Sequence, residues 1–238
     1  MKYMGSKARI AKHILPIILK DRKEGQWYVE PFVGGANMID KVDGNRIGSD
    51  SNEYLIALLD ALSKGWTPPE KFTMEDYILA KHNKNADKVI TGYAGICCSY
   101  SGKWFGGYAG IVNTKTGSIR NYISEANKNL ADQSKNILGV KFIHKSYDDI
   151  VFNKPCIIYC DPPYAGTTKY KSDFDHEKFW EWCREMSVKG HQVFVSEYNA
   201  PEDFECIWEM ELKSSLSANG KSGGNKISTE KLFKYILP

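Results

Sequence analysis

Acids and glycines at particular spacings suggest what chemistry this sequence could do. The most specific group is Asp161-Pro162-Pro163-Tyr164, which follows directly on the apolar run of residues 155–160. Two prolines fix the backbone and remove two N–H donors, leaving a turn rich in carbonyl acceptors. A carboxylate beside such a carbonyl can accept both hydrogens of an exocyclic amine and leave the nitrogen lone pair facing an electrophile. Tyr164 adds a flat surface on which a base can stack. Earlier, residues 27–30 end in Glu30, Gly34-Gly35 lie in the turn at 31–36, and Asp50 comes 20 residues after Glu30. A strand, a glycine turn and an acid at that distance form a nucleotide-binding pattern: the glycines admit the ligand to the backbone and the acid accepts from ribose hydroxyls. The turn is not G-x-G-x-x-G, however. The same residues serve equally as a tight strand-to-helix connection with Asp50 as a helix cap.

The elements that position these residues can be read from the apolar spacing. Residues 27–30 and 46–49 read as short buried strands, the second ending at Asp50. Residues 53–62 have the period of a helix, stopped by Gly65 and Pro68-Pro69. Residues 155–160 and 192–197 read as buried strands. Asp175 can cap a helix with Phe179, Cys183 and Met186 on one face. The last strands are expected at 207–212 and 232–237, joined by a loop rich in Gly, Ser, Asn and Lys. Strands alternating with helices imply an α/β fold with a largely parallel sheet covered on both faces. Residues 56–139 differ: they are richer in Gly, Asn, Lys and aromatics, with poor periodicity, and read as a small inserted region on the α/β core.

Composition narrows the possibilities. Hydrophobic residues at 42% and charged residues at 26% are those of an ordinary globular chain. No apolar run approaches the ~18 residues of a membrane span, and the N-terminus lacks a signal-peptide apolar core, so the chain is expected in the cytoplasm. Cysteines 97, 98, 156, 160, 183 and 206 include no C-x-x-C pair and read as small apolar core residues; no metal-ligand set is recognisable. A net charge of +3 excludes a general polycation, yet residues 1–24 hold seven Lys/Arg against Asp21 and Glu24, and residues 213–238 hold five Lys against Glu230. Two basic ends could meet phosphate.

With those residues in place, the chain resembles the Dam-like N6-adenine DNA methyltransferases, the D12 class, which carry a glycine motif first and Asp-Pro-Pro-Tyr later. The resemblance covers about residues 1–55 and 140–238. Lys2-Tyr3-Met4-Gly5-Ser6-Lys7 is similar to the family's aromatic-x-Gly-x-Lys segment, which implies that Tyr3 and Lys7 line the cofactor site. Glu30, Pro31, Phe32, Gly34, Gly35 and Ala36 resemble the methionine-binding turn, with Ala36 where the family has a third glycine. Asp50 matches the ribose-binding acid, and Ser146 and Tyr147 resemble the segment that holds the cofactor's adenine. Asp161, Pro162, Pro163 and Tyr164 match the catalytic motif, Asp161 also bordering the cofactor site. Residues 215–220 with the basic loop after them resemble the late Ser-x-Asn-Gly stretch, which brings Asn219, Lys221 and Lys226 toward the DNA backbone.

The resemblance implies a Rossmann-like class I methyltransferase sheet, mostly parallel with a C-terminal antiparallel hairpin, plus a small, mainly helical insertion. Residues 1–55 and 140–238 would form the catalytic domain that binds S-adenosylmethionine and releases S-adenosylhomocysteine. Residues 56–139 would be the target-recognition region. The implied reaction is methylation of adenine N6 in double-stranded DNA after base flipping, by a monomer in a bacterial cell or phage-infected host. Tyr100, Lys103, Trp104, Arg120 and Asn121 are the candidate DNA contacts of the insertion, Arg and Asn being types that pair with guanine and adenine edges. Trp104, Phe105 and Tyr108 could equally just pack it. The family's GATC-reading pattern is not recognisable. Methylation of cytosine N4 or RNA adenine, or a non-catalytic nucleic-acid-binding relative, are the rival readings.

Overall fold

The computed structural model describes residues 1–114, 117–164, 174–213 and 227–236. Along the chain come α1 (Ala11–Ile18), β1 (Tyr28–Glu30), β2 (Arg46–Asp50), α2 (Glu53–Ser63), α3 (Met74–His82) and α4 (Lys88–Gly92). A short hairpin of β3 (Ile111–Asn113) and β4 (Ile119–Asn121) leads into α5 (Tyr122–Asn136) and β5 (Lys141–His144). β6 (Ile157–Cys160), α6 (His176–Val188), β7 (Gln192–Glu197), β8 (Phe204–Lys213) and β9 (Ile227–Tyr235) complete it. The main sheet has seven strands in the order β5-β2-β1-β6-β7-β9-β8, mostly parallel with a C-terminal antiparallel hairpin, the Rossmann-like arrangement expected from the sequence. The chain divides into two compact units, residues 1–13 with 31–150, and residues 14–30 with 151–238.

In the second unit, β1, β6 and β7 run parallel, with Val29 opposite Ile158 and Ile158 opposite Val193. All four residues of β6 are buried, as a strand covered on both faces requires. β9 then runs antiparallel to β7 and pairs with β8, the last strand. Glu205, Glu209 and Glu211 put charge on that edge, which discourages pairing with another chain. Asp175 caps α6 by accepting from the Lys178 N–H at 2.9 Å, and Phe179, Cys183 and Met186 are buried where α6 packs on β7 and β9. β9 starts earlier than the apolar run at 232 implies, because Ser228–Glu230 continue the ladder with polar side chains.

In the first unit, β2 and β5 run parallel, with Asp50 opposite His144. Arg46 is buried, its guanidinium donating to the carbonyls of Ile39, Asn136 and Leu138 at 3.2, 2.7 and 2.8 Å. The Asn136 carbonyl is one that the end of α5 leaves without a helical partner. α2 and α4 cross so closely at Gly92 that a Cβ there would lie 2.1 Å from the Tyr54 carbonyl oxygen. Residues 56–139 do contain mainly helices, but a π-helical turn at Tyr93–Cys97 and the β3–β4 hairpin break the regular spacing. That accounts for the poor periodicity. Among the described residues, no helix is long and apolar enough to cross a membrane, and no group of three or more His, Cys, Asp or Glu could hold a metal. The cysteines are free thiols; Cys98, Cys156, Cys160 and Cys183 are buried, whereas Cys206 on edge strand β8 is exposed.

Candidate active site

In the first unit, the chain leaving β1 enters the glycine turn at residues 31–36. Val33 N–H donates to the Ser49 carbonyl at 2.8 Å, and Gly34 N–H donates to Asp50 Oδ2 at 3.1 Å. The turn is thus tied to the end of β2, with Asp50 as its anchor. Asp50 Oδ1 also accepts from the Asn52 N–H at 2.9 Å. The cap of α2 is Asn52, which accepts from the N–H groups of Tyr54 and Leu55; the alternative in which Asp50 caps that helix does not hold. Burial pushes the Asp50 carboxyl above its ordinary value, against the pull of its backbone hydrogen bonds.

Tyr3 lies on this turn. A Cβ added at Gly34 would sit 2.8 Å from Tyr3 Cε1, and one at Gly35 would sit 2.5 Å from Tyr3 Cβ and 2.6 Å from Asn37 Nδ2. Gly34 also has a φ of +46°, so it needs glycine on both counts. Ala36 shares the left-handed conformation, with φ +54°, and is fully buried. A non-glycine residue held there costs about 1–2 kcal/mol. Phe32 stacks on buried Tyr147, ring centroids 5.5 Å apart, and Lys7 is buried. Ser146 precedes the 3-10 turn at Tyr147–Asp149, its hydroxyl donating to Asp148 at 2.5 Å. Tyr3, Phe32, Gly34, Gly35, Asp50 and Tyr147 are therefore assembled around one glycine turn.

The sequence did not point to Gln133. This buried amide on α5 donates to the carbonyls of Gly35 and Ala36 at 3.0 and 3.2 Å and to Asp40 at 3.0 Å. Its signal was a polar residue on the apolar face of a helix, beside Leu130.

In the second unit, Glu30 ends β1 and Asp161 follows β6, and the paired register brings both acids to the same strand-end edge. The strand order reverses between these two strands, the place where open α/β sheets hold ligands. Glu30 is 2% exposed and accepts from the Tyr28 phenol at 2.9 Å. Beneath the Asp161 turn, buried Tyr159 and Ser196 hydroxyls hydrogen bond at 2.8 Å. Pro162 is buried and Asp161, Pro163 and Tyr164 are half-buried. The Tyr164 phenol donates to Glu230 Oε2 at 2.8 Å, and its ring meets Tyr198 edge-on. Glu197, 2% exposed at the end of β7, repeats the pattern of Glu30: an acid that closes an apolar strand. That repetition could have identified it from sequence.

The candidate DNA contacts lie apart in kind. Tyr100 is 65% exposed and Lys103 is exposed. Trp104 stacks on Tyr54 with centroids 5.6 Å apart, packs edge-on against Phe105, and covers Gly95. Arg120 makes a two-pronged contact with Glu125 at 2.5 and 2.8 Å and lies over the Tyr122 ring. Asn121 caps α5 through the N–H groups of Ile123 and Ser124. Tyr3, Tyr100, Arg120 and Tyr122 line a cavity of about 450 Å³. Asn219, Lys221 and Lys226 lie outside the described residues.

A family model described as D12 class N6 adenine-specific DNA methyltransferase matches residues 3–213. The Type II methyltransferase M.FokI of Planomicrobium okeanokoites is 26% identical over 213 residues, covering 79% of this chain and 32% of that protein. The chain thus spans about a third of the length of this curated relative. A solved structure of a protein assigned as a methyltransferase from Thermoplasma acidophilum aligns over 91% of this chain and 70% of its own, at TM-score 0.37 and 10% identity. SMU.472, likewise assigned and solved with SAH, aligns over 97% and 53%, at TM-score 0.35 and 13% identity.

Proposed function

The chain belongs to the D12 class of N6 adenine-specific DNA methyltransferases, and from that premise we propose that it transfers a methyl group from S-adenosylmethionine to N6 of adenine in DNA. The observation that carries the proposal is Asp161-Pro162-Pro163-Tyr164 leaving the strand-end edge where the sheet order reverses, with the Tyr164 ring held in place.

The first unit suits the cofactor. Its turn can close on Tyr3 and Asn37 only because residues 34 and 35 lack a Cβ, and Asp50 stands at the turn as an acceptor for ribose hydroxyls. Phe32 and Tyr147 supply aromatic surface for an adenine, and Tyr3, Lys7 and Ser146 complete the set. From the second unit, Glu30 is proposed for the methionine moiety on the family resemblance alone. When bound, S-adenosylmethionine supplies the electrophilic methyl group.

The chain's own residues do the rest. The target adenine must leave the duplex, because N6 is inaccessible while paired, at a cost of about a few kcal/mol. Stacking on Tyr164 offsets about 1–3 kcal/mol of that. Asp161 and the Pro162 carbonyl accept the two amine hydrogens and leave the nitrogen lone pair unengaged. Holding the amine in this orientation is the protein's contribution to rate. Residues 56–139 act as the target-recognition region on double-stranded DNA, with Tyr100, Lys103, Trp104, Arg120 and Asn121 as its candidate contacts. Asn219, Lys221 and Lys226 meet the DNA backbone. The protein works as a monomer, in the cytoplasm where such DNA lies.

Asp161→Ala tests this. Loss of the charged acceptor should lower methyl transfer by about 10²–10³-fold, as when one preorganised electrostatic group is removed, while cofactor affinity stays within a few-fold. Transfer at near the wild-type rate would overturn the assignment.

A further inference from the structure

Tyr164 lies in a loop, yet its ring is tied to the sheet. Its phenol donates to Glu230 Oε2 at 2.8 Å, and its ring meets Tyr198 with centroids 4.6 Å apart and planes at 80°. Glu230 belongs to β9, a strand paired on both sides: Lys231 faces Glu197 of β7, and Glu230 itself faces Met210 of β8. Its backbone is therefore held in the β8 ladder, one residue beyond the end of the β7 ladder. Tyr198 directly follows β7, and its N–H donates to Glu197 Oε1 at 2.7 Å. Burial, then the charges of Asp161 and Glu230, push the Tyr164 phenol well above its ordinary value. The phenol is the donor and Glu230 Oε2 the acceptor.

We propose that Glu230 is a positioning residue for base binding: its hydrogen bond to Tyr164 fixes the plane of the ring on which the target adenine stacks. The proposal rests on the reading of DNA adenine methylation given above. Two prolines set the backbone before Tyr164 but leave its side-chain torsions free. A stacking surface free to swing would present N6 over a spread of positions, and a misplacement of ~1 Å can slow a reaction about 10²-fold. A hydrogen bond to an acceptor on a strand fixed in the sheet removes that freedom. Glu230 acts through Tyr164, without touching the base.

The test uses the full chain, S-adenosylmethionine and unmethylated genomic DNA. Single-turnover methyl transfer and S-adenosylhomocysteine affinity are measured for wild type, Glu230→Ala, Glu230→Gln, Tyr164→Phe and the Tyr164→Phe/Glu230→Ala double variant. Glu230→Ala should slow transfer about tenfold, the scale of one charge-assisted hydrogen bond, with cofactor affinity unchanged. Glu230→Gln keeps an acceptor oxygen and should recover to within about threefold of wild type on the same scale. Tyr164→Phe should slow transfer comparably, and adding Glu230→Ala to it should slow it no further. Glu230→Ala within twofold of wild type, failure of the Gln variant to recover, or multiplicative effects in the double variant would each overturn the proposal. If Glu230→Ala does not fold, Tyr164→Phe at the wild-type rate overturns it just as well. A wild-type protein that methylates no DNA adenine overturns the functional reading and this proposal together; an active wild type with an insensitive Glu230 overturns the positioning role alone.

Discussion

Gly35→Ala isolates the geometry of the glycine turn. Gly35 is not among the residues in the left-handed region, so alanine meets no conformational penalty there and the cost is steric. The new Cβ would lie 2.5 Å from Tyr3 Cβ and 2.6 Å from Asn37 Nδ2. Carbon atoms pack comfortably at about 3.5–4.0 Å, so neighbours on two sides must each give by about 1 Å. The turn itself cannot simply retreat, because the Gly35 carbonyl accepts from Gln133 at 3.0 Å and the Gly34 N–H is bound to Asp50. Overpacking of this kind costs about 1–3 kcal/mol. If Tyr3 moves to relieve it, the loss falls on the cofactor: S-adenosylhomocysteine should bind about 5- to 150-fold more weakly at 1.4 kcal/mol per tenfold. If the turn stays strained, the urea midpoint should drop instead. Calorimetric titration and urea unfolding of the same preparation read both. Affinity within twofold of wild type together with an unchanged midpoint would refute the argument that this turn is closed around Tyr3.

Two further outcomes follow from the same unit. Asn52→Ala removes the acceptor for two N–H groups at the start of α2 and should lower unfolding stability by about 1 kcal/mol, read as a shift in the urea midpoint without a change in slope. Asp50 gives a pH signature. Its folded-state carboxyl is raised by burial, so the fold is favoured more below the ordinary carboxylate value and loses that margin as pH rises through the raised one. Cofactor affinity should run the opposite way, since ribose hydroxyls need the ionised acceptor; Asp50→Asn should flatten both profiles, measured by unfolding and by S-adenosylhomocysteine titration across the acid range.

Much of this architecture was legible in the sequence because it depends on local patterns. β7 at Gln192–Glu197 and the Asp175 cap of α6 are found where apolar runs and a capping acid put them. The two turns of the candidate site were legible for the same reason: glycine and proline restrict the backbone whatever surrounds them. The misplaced features depend on tertiary partners. Asn52 takes the cap because Asp50 is engaged by the Gly34 N–H, a contact 16 residues away that spacing does not reveal. β5, with exposed Lys141 and His144 at its ends, lacks a buried-strand pattern and forms by pairing with β2. Gln133 and Glu230 carry no motif. Each is visible only once a helix or a ladder brings it to the backbone or ring it holds.

The most direct measurement is methyl transfer from labelled S-adenosylmethionine to unmethylated genomic DNA, followed by mass analysis of the nucleosides. The expected result is label in N6-methyladenine, lowered about 10²–10³-fold by Asp161→Ala. Label in cytosine N4 or only in RNA, or no label from a protein that binds the cofactor, would contradict it.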